Sequence, residues 1–170
     1  MRSFVLPIPS GDAGTSATLA HMRMLARNAS LQPLVRATAG RLVLGVSGFD
    51  GVTQARILRD WIEERVTFLA DPATAEMLLE PTRVLHRILT AGIVQLDCDD
   101  VATLAATMGL AIGLRARFVV VGFSSPNAPF RHVWTELADA RRVRWVAVDP
   151  TRPVAGLDSL AISRRGFVEV

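Results

Sequence analysis

The sequence predicts an α+β domain: a helical N-terminal part, then a cysteine-bearing helix packed on an antiparallel sheet. Three observations predict it. Up to Val66 the apolar residues recur at helical spacing. The segment Gln95-Leu96-Asp97-Cys98-Asp99-Asp100 is followed at once by an apolar run from Val101 to Ile112. Beyond Gly113 the pattern changes to strands: Phe118 to Val121 is continuously apolar, while Phe130 to Leu137 and Val143 to Asp149 alternate.

At 170 residues, half of them apolar, the chain is expected to be one domain with a real core. Its expected organisation is an N-terminal helical segment over 1–51, a core over 52–151 and a C-terminal extension over 152–170.

Taken in order, Arg2 to Ile8 reads as a short edge strand. Thr15 to Arg27 reads as a helix, because Leu19, Met22 and Ala26 share one face; Thr15 or Ser16 would cap it and Asn28 would end it. Leu31 to Leu44 reads as a second helix with Pro33 in its first turn. Gly45 to Gly51 is a break. Val52 to Val66 is strongly amphipathic: Ile57, Leu58, Trp61, Ile62 and Val66 form a stripe, and Asp60, Glu63 and Glu64 face away. Asp71-Pro72 would open a short helix, Ala73 to Leu79, which Pro81 interrupts. Thr82 to Leu96 reads as a helix or turn with an irregular approach to the cysteine. Cys98 to Ala111 is a buried helix, stopped by Gly113. Leu114 to Phe123 is an interior strand. The two alternating strands that follow are joined by polar Ala138 to Arg142, which suits a hairpin, and Gly166 to Val170 is a late strand.

Composition narrows the function classes. The net charge is only +3, and all 19 basic residues are Arg, scattered with no long run. The pI near 10.8 reflects the absence of Lys rather than a nucleic-acid footprint. The chain therefore carries no ε-amine to serve as an acyl acceptor. No apolar run approaches a membrane span. Met1 to Ser10 lacks a signal-peptide pattern, so a cytoplasmic location is expected. One cysteine excludes an intrachain disulfide and the multi-cysteine zinc patterns. The short glycine turn Gly45-Val46-Ser47-Gly48 lacks the Lys and the strand–helix spacing of a phosphate loop. No cofactor is implied.

The chemistry centres on Cys98. Asp97 stands at the N-cap of its helix and Asp100 three residues later, the spacing of a capping box. That puts the thiol in the first turn, where free N–H groups and the helix dipole favour a thiolate and can hold an oxyanion. Asp97, Asp99 and Asp100 oppose ionisation of the thiol, the more weakly if they point to solvent. A nearby histidinium would compensate for them.

Period-two counting supplies the partners. If the two strands pair around Asp139 to Arg142, Leu137 opposes Arg144, Thr135 opposes Val146, and His132 opposes Asp149. Opposed residues hold their Cβ atoms about 4.5–5.5 Å apart. The aspartate would then fix the imidazole's tautomer and stabilise its charged form. His86 and His21 sit in helical segments and read as surface or packing residues. A metal site from Cys98, His132, Asp149 and the nearby carboxylates is chemically permitted, but the cysteine and the His–Asp pair need no metal.

These stretches resemble the transglutaminase-like cysteine-protease superfamily. Its members carry Gly-x-Cys-x-[Asp/Glu] at the start of a buried helix, an apolar strand after a Gly, a His-Val-Trp strand, and a Trp-x-x-x-Asp-Pro-Thr strand end. The matching stretches are Asp97-Cys98-Asp99-Asp100, Gly113 to Val119, His132-Val133-Trp134-Thr135-Glu136, and Trp145-Val146-Ala147-Val148-Asp149-Pro150-Thr151. Leu96 departs from the pattern, where many relatives have Gly. The segment from Asp71-Pro72 to Pro81 is similar to small bacterial and phage-encoded versions.

The resemblance implies a papain-like core with Cys98 as nucleophile, His132 as base and Asp149 as orienter. It also implies a side-chain oxyanion donor upstream of the cysteine, for which Gln95 is the nearest candidate. The expected activity is thiol-dependent acyl transfer on a peptide or protein substrate, by a cysteine peptidase or amidase. The alternatives are a protein-crosslinking transglutaminase and a non-catalytic binding or virion-assembly domain of the same fold, the last of which would make the chain virion-associated.

Overall fold

The computed structural model describes residues 11–70, 77–139, 141, 144–151 and 161–170. The expected strand at Arg2 to Ile8, the cap at Asp71-Pro72 and residues 152–160 of the tail lie outside them.

Among the described residues, five helices and six strands run α1 Gly11–Ser30, α2 Pro33–Leu42, α3 Gly51–Glu63, β1 Val66–Phe68, α4 Pro81–Ala91, β2 Val94–Leu96, α5 Cys98–Ala111, β3 Arg115–Phe123, β4 His132–Ala138, β5 Val146–Val148 and β6 Ile162–Glu169. Their boundaries follow from local chemistry. Asp50 caps α3 by accepting the Thr53 N–H at 3.1 Å. Glu80 caps α4 by accepting the Arg83 N–H at 2.9 Å. Pro81 is the first residue of α4 rather than an interruption, because a proline there sacrifices no helical donor. The expected helix through Ala73 to Leu79 does not extend over its last three residues, 77–79, which carry no helix.

α5 is the axis of the fold. Asp97 accepts the Asp100 N–H at 3.1 Å, so the cap forms as the spacing predicts. Gly113, at φ 85°, adopts the left-handed turn that stops the helix. Between them the helix is buried on nearly every side, because α1, α2, α3 and α4 pack around it and β3 and β4 lie against it. Two threonines are tolerated at full burial because their hydroxyls bond back into the helix, Thr103 to the Asp99 carbonyl and Thr107 to the Thr103 carbonyl, each at 2.7 Å. Gly109 admits Leu137 of β4, whose side chain would collide with any Cβ there.

The main sheet has order β5-β4-β3-β6 and is antiparallel throughout. One face, with Phe118, Val120, Val133 and Leu137, joins the core around α5. The other carries Val119, Val121, Phe123 and Trp134. On that second face the Arg117 guanidinium lies 4.1 Å from the Trp145 ring and 4.4 Å from the Phe167 ring. It also bonds Glu136 at 2.8 Å, tying the strands together.

Two short strands were not anticipated. β1 and β2 pair in parallel, Val66 with Val94 through Phe68 with Leu96. β1 occupies the end of the expected Val52 to Val66 helix, which in fact stops at Glu63. β2 replaces the irregular approach to the cysteine. The hairpin register also differs. Thr135 pairs with Val148 and Leu137 with Val146, two residues away from the expected alignment. A shift of two leaves every side chain on its own face, so the facing of His132 and Asp149 survives while their opposition becomes diagonal.

Candidate active site

Cys98 opens α5, His132 opens β4, and Asp149 follows directly on β5. The structure brings His132 and Asp149 into contact. Nε2 of the imidazole lies 2.8 Å from Oδ1 and 3.0 Å from Oδ2 of the carboxylate. The imidazole side chain is only 1% exposed and the carboxylate 13%, so the pair is held in a low-dielectric setting. With Nε2–H given to Asp149, the lone pair resides on Nδ1. The Trp134 ring lies 5.9 Å from the imidazole, centroid to centroid. Thr151 donates its hydroxyl to Asp149 Oδ1 at 3.4 Å.

Cys98 meets the same strand. The backbone N–H of Val133, the residue after His132, acts on its sulfur and favours the thiolate. Cys98 and His132 line one cleft of about 450 Å³, together with Asp97, Asp99, Phe68, Phe130 and the inner side of α1. α5 and β4 are held in register by the Thr135 hydroxyl, which donates to the Ala102 carbonyl at 2.6 Å.

The electrostatics of the thiol correct the sequence-based expectation. Asp97, Asp99 and Asp100 are buried, 9%, 4% and 5% exposed, rather than solvated. Asp97 and Asp99 both accept the Asp100 N–H, at 3.1 and 3.0 Å, and Asp100 accepts the Leu79 N–H at 2.7 Å. The collar is thus part of the helix cap and of the packing of the 77–80 segment. Burial, then the Asp99 carboxylate, pushes the Cys98 thiol up to about 12; Asp97 adds to the rise, while the Val133 and Cys98 N–H groups pull the other way. The helix N-terminus alone does not produce a resting thiolate here.

Gln95 is a second correction. It is the exposed middle residue of β2, between buried Val94 and Leu96, and it is not among the residues lining the cleft. Strand alternation turns it away from the core on which Cys98 sits. Recognising β2 as a strand would have predicted this.

The three carboxylates present oxygens within 4.8 Å of one another and are the group, among the described residues, with the spacing to hold a cation. The sequence did not announce the rest of the cleft wall. Gly14, Thr15, Thr18, Leu19 and Met22 arrive from α1, about eighty residues away in the chain, and no spacing rule links them to Cys98.

No curated protein matches this chain. Among solved structures it is similar to a crystal structure described as "a Putative Cysteine Protease from Cytophaga hutchinsonii", at 18% identity and a TM-score of 0.51. The similarity covers 78% of this chain but 41% of that one, so this chain spans about two fifths of its relative's length. At that identity the likeness concerns the fold. The model of the transglutaminase-like superfamily matches residues 46–150, a stretch that contains β1, α5, β4 and β5 with Cys98, His132 and Asp149. With more than half of its length matched, the chain belongs to the transglutaminase-like superfamily.

Proposed function

We propose that this protein is a thiol-dependent acyl-transfer enzyme, a cysteine peptidase or amidase, with Cys98 as nucleophile, His132 as general base and Asp149 as the residue that orients it. The observation carrying this reading is the buried His132–Asp149 pair, 2.8 Å apart, on a cleft that also holds the chain's single thiol.

The geometry suggests the following sequence. The thiol is protonated at rest. As Sγ bonds to the substrate carbonyl carbon, its proton passes to Nδ1 of His132, and the carbonyl π pair moves onto oxygen. The imidazolium so formed is stabilised by Asp149 at Nε2. The N–H groups at the start of α5 that the cap leaves over would hold the oxyanion. On collapse the C–N bond breaks, the departing amine takes the proton from His132, and a thioester remains. Water, deprotonated by the same imidazole, attacks the thioester, releases the acid and returns the proton to sulfur. If an amine replaced water in this last step, the outcome would be transamidation.

A second reading, a non-catalytic binding or assembly domain of the same fold, draws on one observation: burial, and after it the neighbouring carboxylates, push the thiol up to about 12. The test is labelling by a dipeptidyl chloromethyl ketone, read by mass spectrometry. An active site labels at Cys98, and His132→Ala abolishes labelling while the fold, followed by circular dichroism, is retained. Equal labelling of the wild type and His132→Ala would overturn the enzymatic reading and favour the binding domain.

A further inference from the structure

One wall of the cleft lies outside the stretch shared with the superfamily. Gly11, Gly14, Thr15, Thr18, Leu19 and Met22 of α1 face Cys98, Phe68 and Phe130 across the opening, whereas the matched residues begin at 46. The start of α1 is fastened from outside that stretch as well. That fastening converges on Arg164 of β6, also outside the matched stretch. Its guanidinium grips Asp12 in a two-point pair, Nη1 to Oδ1 at 3.0 Å and Nη2 to Oδ2 at 2.7 Å. Nη1 also donates to the Ala128 carbonyl at 3.2 Å, and the guanidinium carbon lies 4.1 Å from the Phe130 ring centroid. Phe130 is itself a cleft residue. It rests against Gly166, where an added Cβ would come within 3.5 Å of its Cζ and 3.1 Å of Val120 Cγ2.

We infer that Arg164 is a positioning residue for substrate: it latches the first turn of α1 to the 128–130 segment, and the wall so formed selects peptide-like substrates with an apolar side chain beside the reacting carbonyl. One side chain holds three separate pieces of the rim, a helix start, a loop carbonyl and an aromatic ring. The planar fork is needed for the two-point grip, so lysine is not an equivalent. The apolar preference follows from the half-buried rings of Phe68 and Phe130 on the lining, backed by the buried side chains of Leu19, Met22 and Val120. This inference rests on the proposed function only for the identity of the cleft as the substrate site.

The experiment uses the full chain in two arms. Hydrogen exchange reads the latch without reference to catalysis: in Arg164→Gln, amides 11–18 should exchange roughly threefold to fivefold faster, the scale of one well-formed surface pair. Asp12→Asn should do the same, the double variant should add little, and Arg164→Lys should recover only part. Alkylation of Cys98 reads the cleft: the rate with a dipeptidyl chloromethyl ketone ending in phenylalanine, divided by the rate with iodoacetamide, should fall by a similar factor in Arg164→Gln. Iodoacetamide needs no wall, so its own rate should hold. Unchanged exchange at 11–18 overturns the latch. Faster exchange with an unchanged ratio overturns its role in selection. If the wild type shows no preference for the dipeptidyl reagent, the claim of selection fails, and with it the substrate-site reading of the cleft, while the exchange arm still decides whether the latch exists.

Discussion

The two sides of the cleft are built differently. The side that carries Cys98 and His132 comes from the superfamily stretch, 46–150, and is buried and over-determined: a capped helix, an interior strand and a hydroxyl joining them. The facing side comes from α1, whose Leu19, Met22 and Ala26 lie in the core while its first turn is held to β6 by a pair whose aspartate side chain is 61% exposed. In the proposed enzyme, chemistry thus falls to buried groups, and selection to a wall whose rim is fastened near the surface. A barrier to reaction is sensitive to sub-ångström placement, whereas a wall only has to exclude.

The largest expected effect tests the reacting side. Cys98→Ala should abolish acyl transfer and leave the fold intact. His132→Ala should cost on the order of a thousandfold or more. Asp149→Asn should cost roughly a hundredfold or more, with kcat falling rather than KM rising, because Asn holds the imidazole without stabilising its charge. Steady-state kinetics on any amide that the wild type hydrolyses checks all three.

Next in size is an alkaline loss of stability. The folded thiol is raised to about 12, while an unfolded thiol ionises near about 8.5. In that window the folded chain keeps a proton that the unfolded chain has released, so stability is whole below the unfolded value and falls as pH rises toward the folded one. The expected slope is on the order of 1 kcal/mol per pH unit. Urea titrations of the wild type and Cys98→Ala between those limits should converge at neutral pH and separate above it. The chain has no Tyr and no Lys. Ultraviolet absorbance therefore reports the thiolate without tyrosinate beneath it, and a native midpoint near the unfolded value would contradict the burial described for Cys98.

A smaller effect comes from the join between the helix and the sheet. Gly109→Ala should destabilise the protein by about 1–2 kcal/mol, because Leu137 is fully buried and has nowhere to retreat; thermal unfolding checks it. Smallest are the few-fold changes expected at Asp12 and Arg164.

The reacting side was also the more legible. Cys98–Ala111 was readable to the residue, because Asp97 and Gly113 are local signals that act on their own neighbours. α2 was likewise marked by Pro33. α1 starts four residues before the expected Thr15, since its first turn is held by Arg164, a contact distant in sequence. β1 and β2 escaped notice because three residues are too few to display a period. The hairpin register slipped by two because Asp139 to Arg142 carries no glycine to specify a tight turn. What sets it is the grip of α5 on β4 through Leu137 and Thr135. Because the error was an even number, His132 and Asp149 were still assigned to each other. The burial of the collar was left open because nothing in three adjacent acidic residues announces their hydrogen bonds to the backbone.

The short bond from Thr135 to the Ala102 carbonyl has a mechanical meaning. Ala102 stands one turn beyond Cys98 in α5, and Thr135 stands three residues beyond His132 in β4. The carbonyl uses its second lone pair, so the rivet is made without unwinding the helix. Sulfur and imidazole are therefore gauged from a common datum, and a shift of one element is passed on to the other.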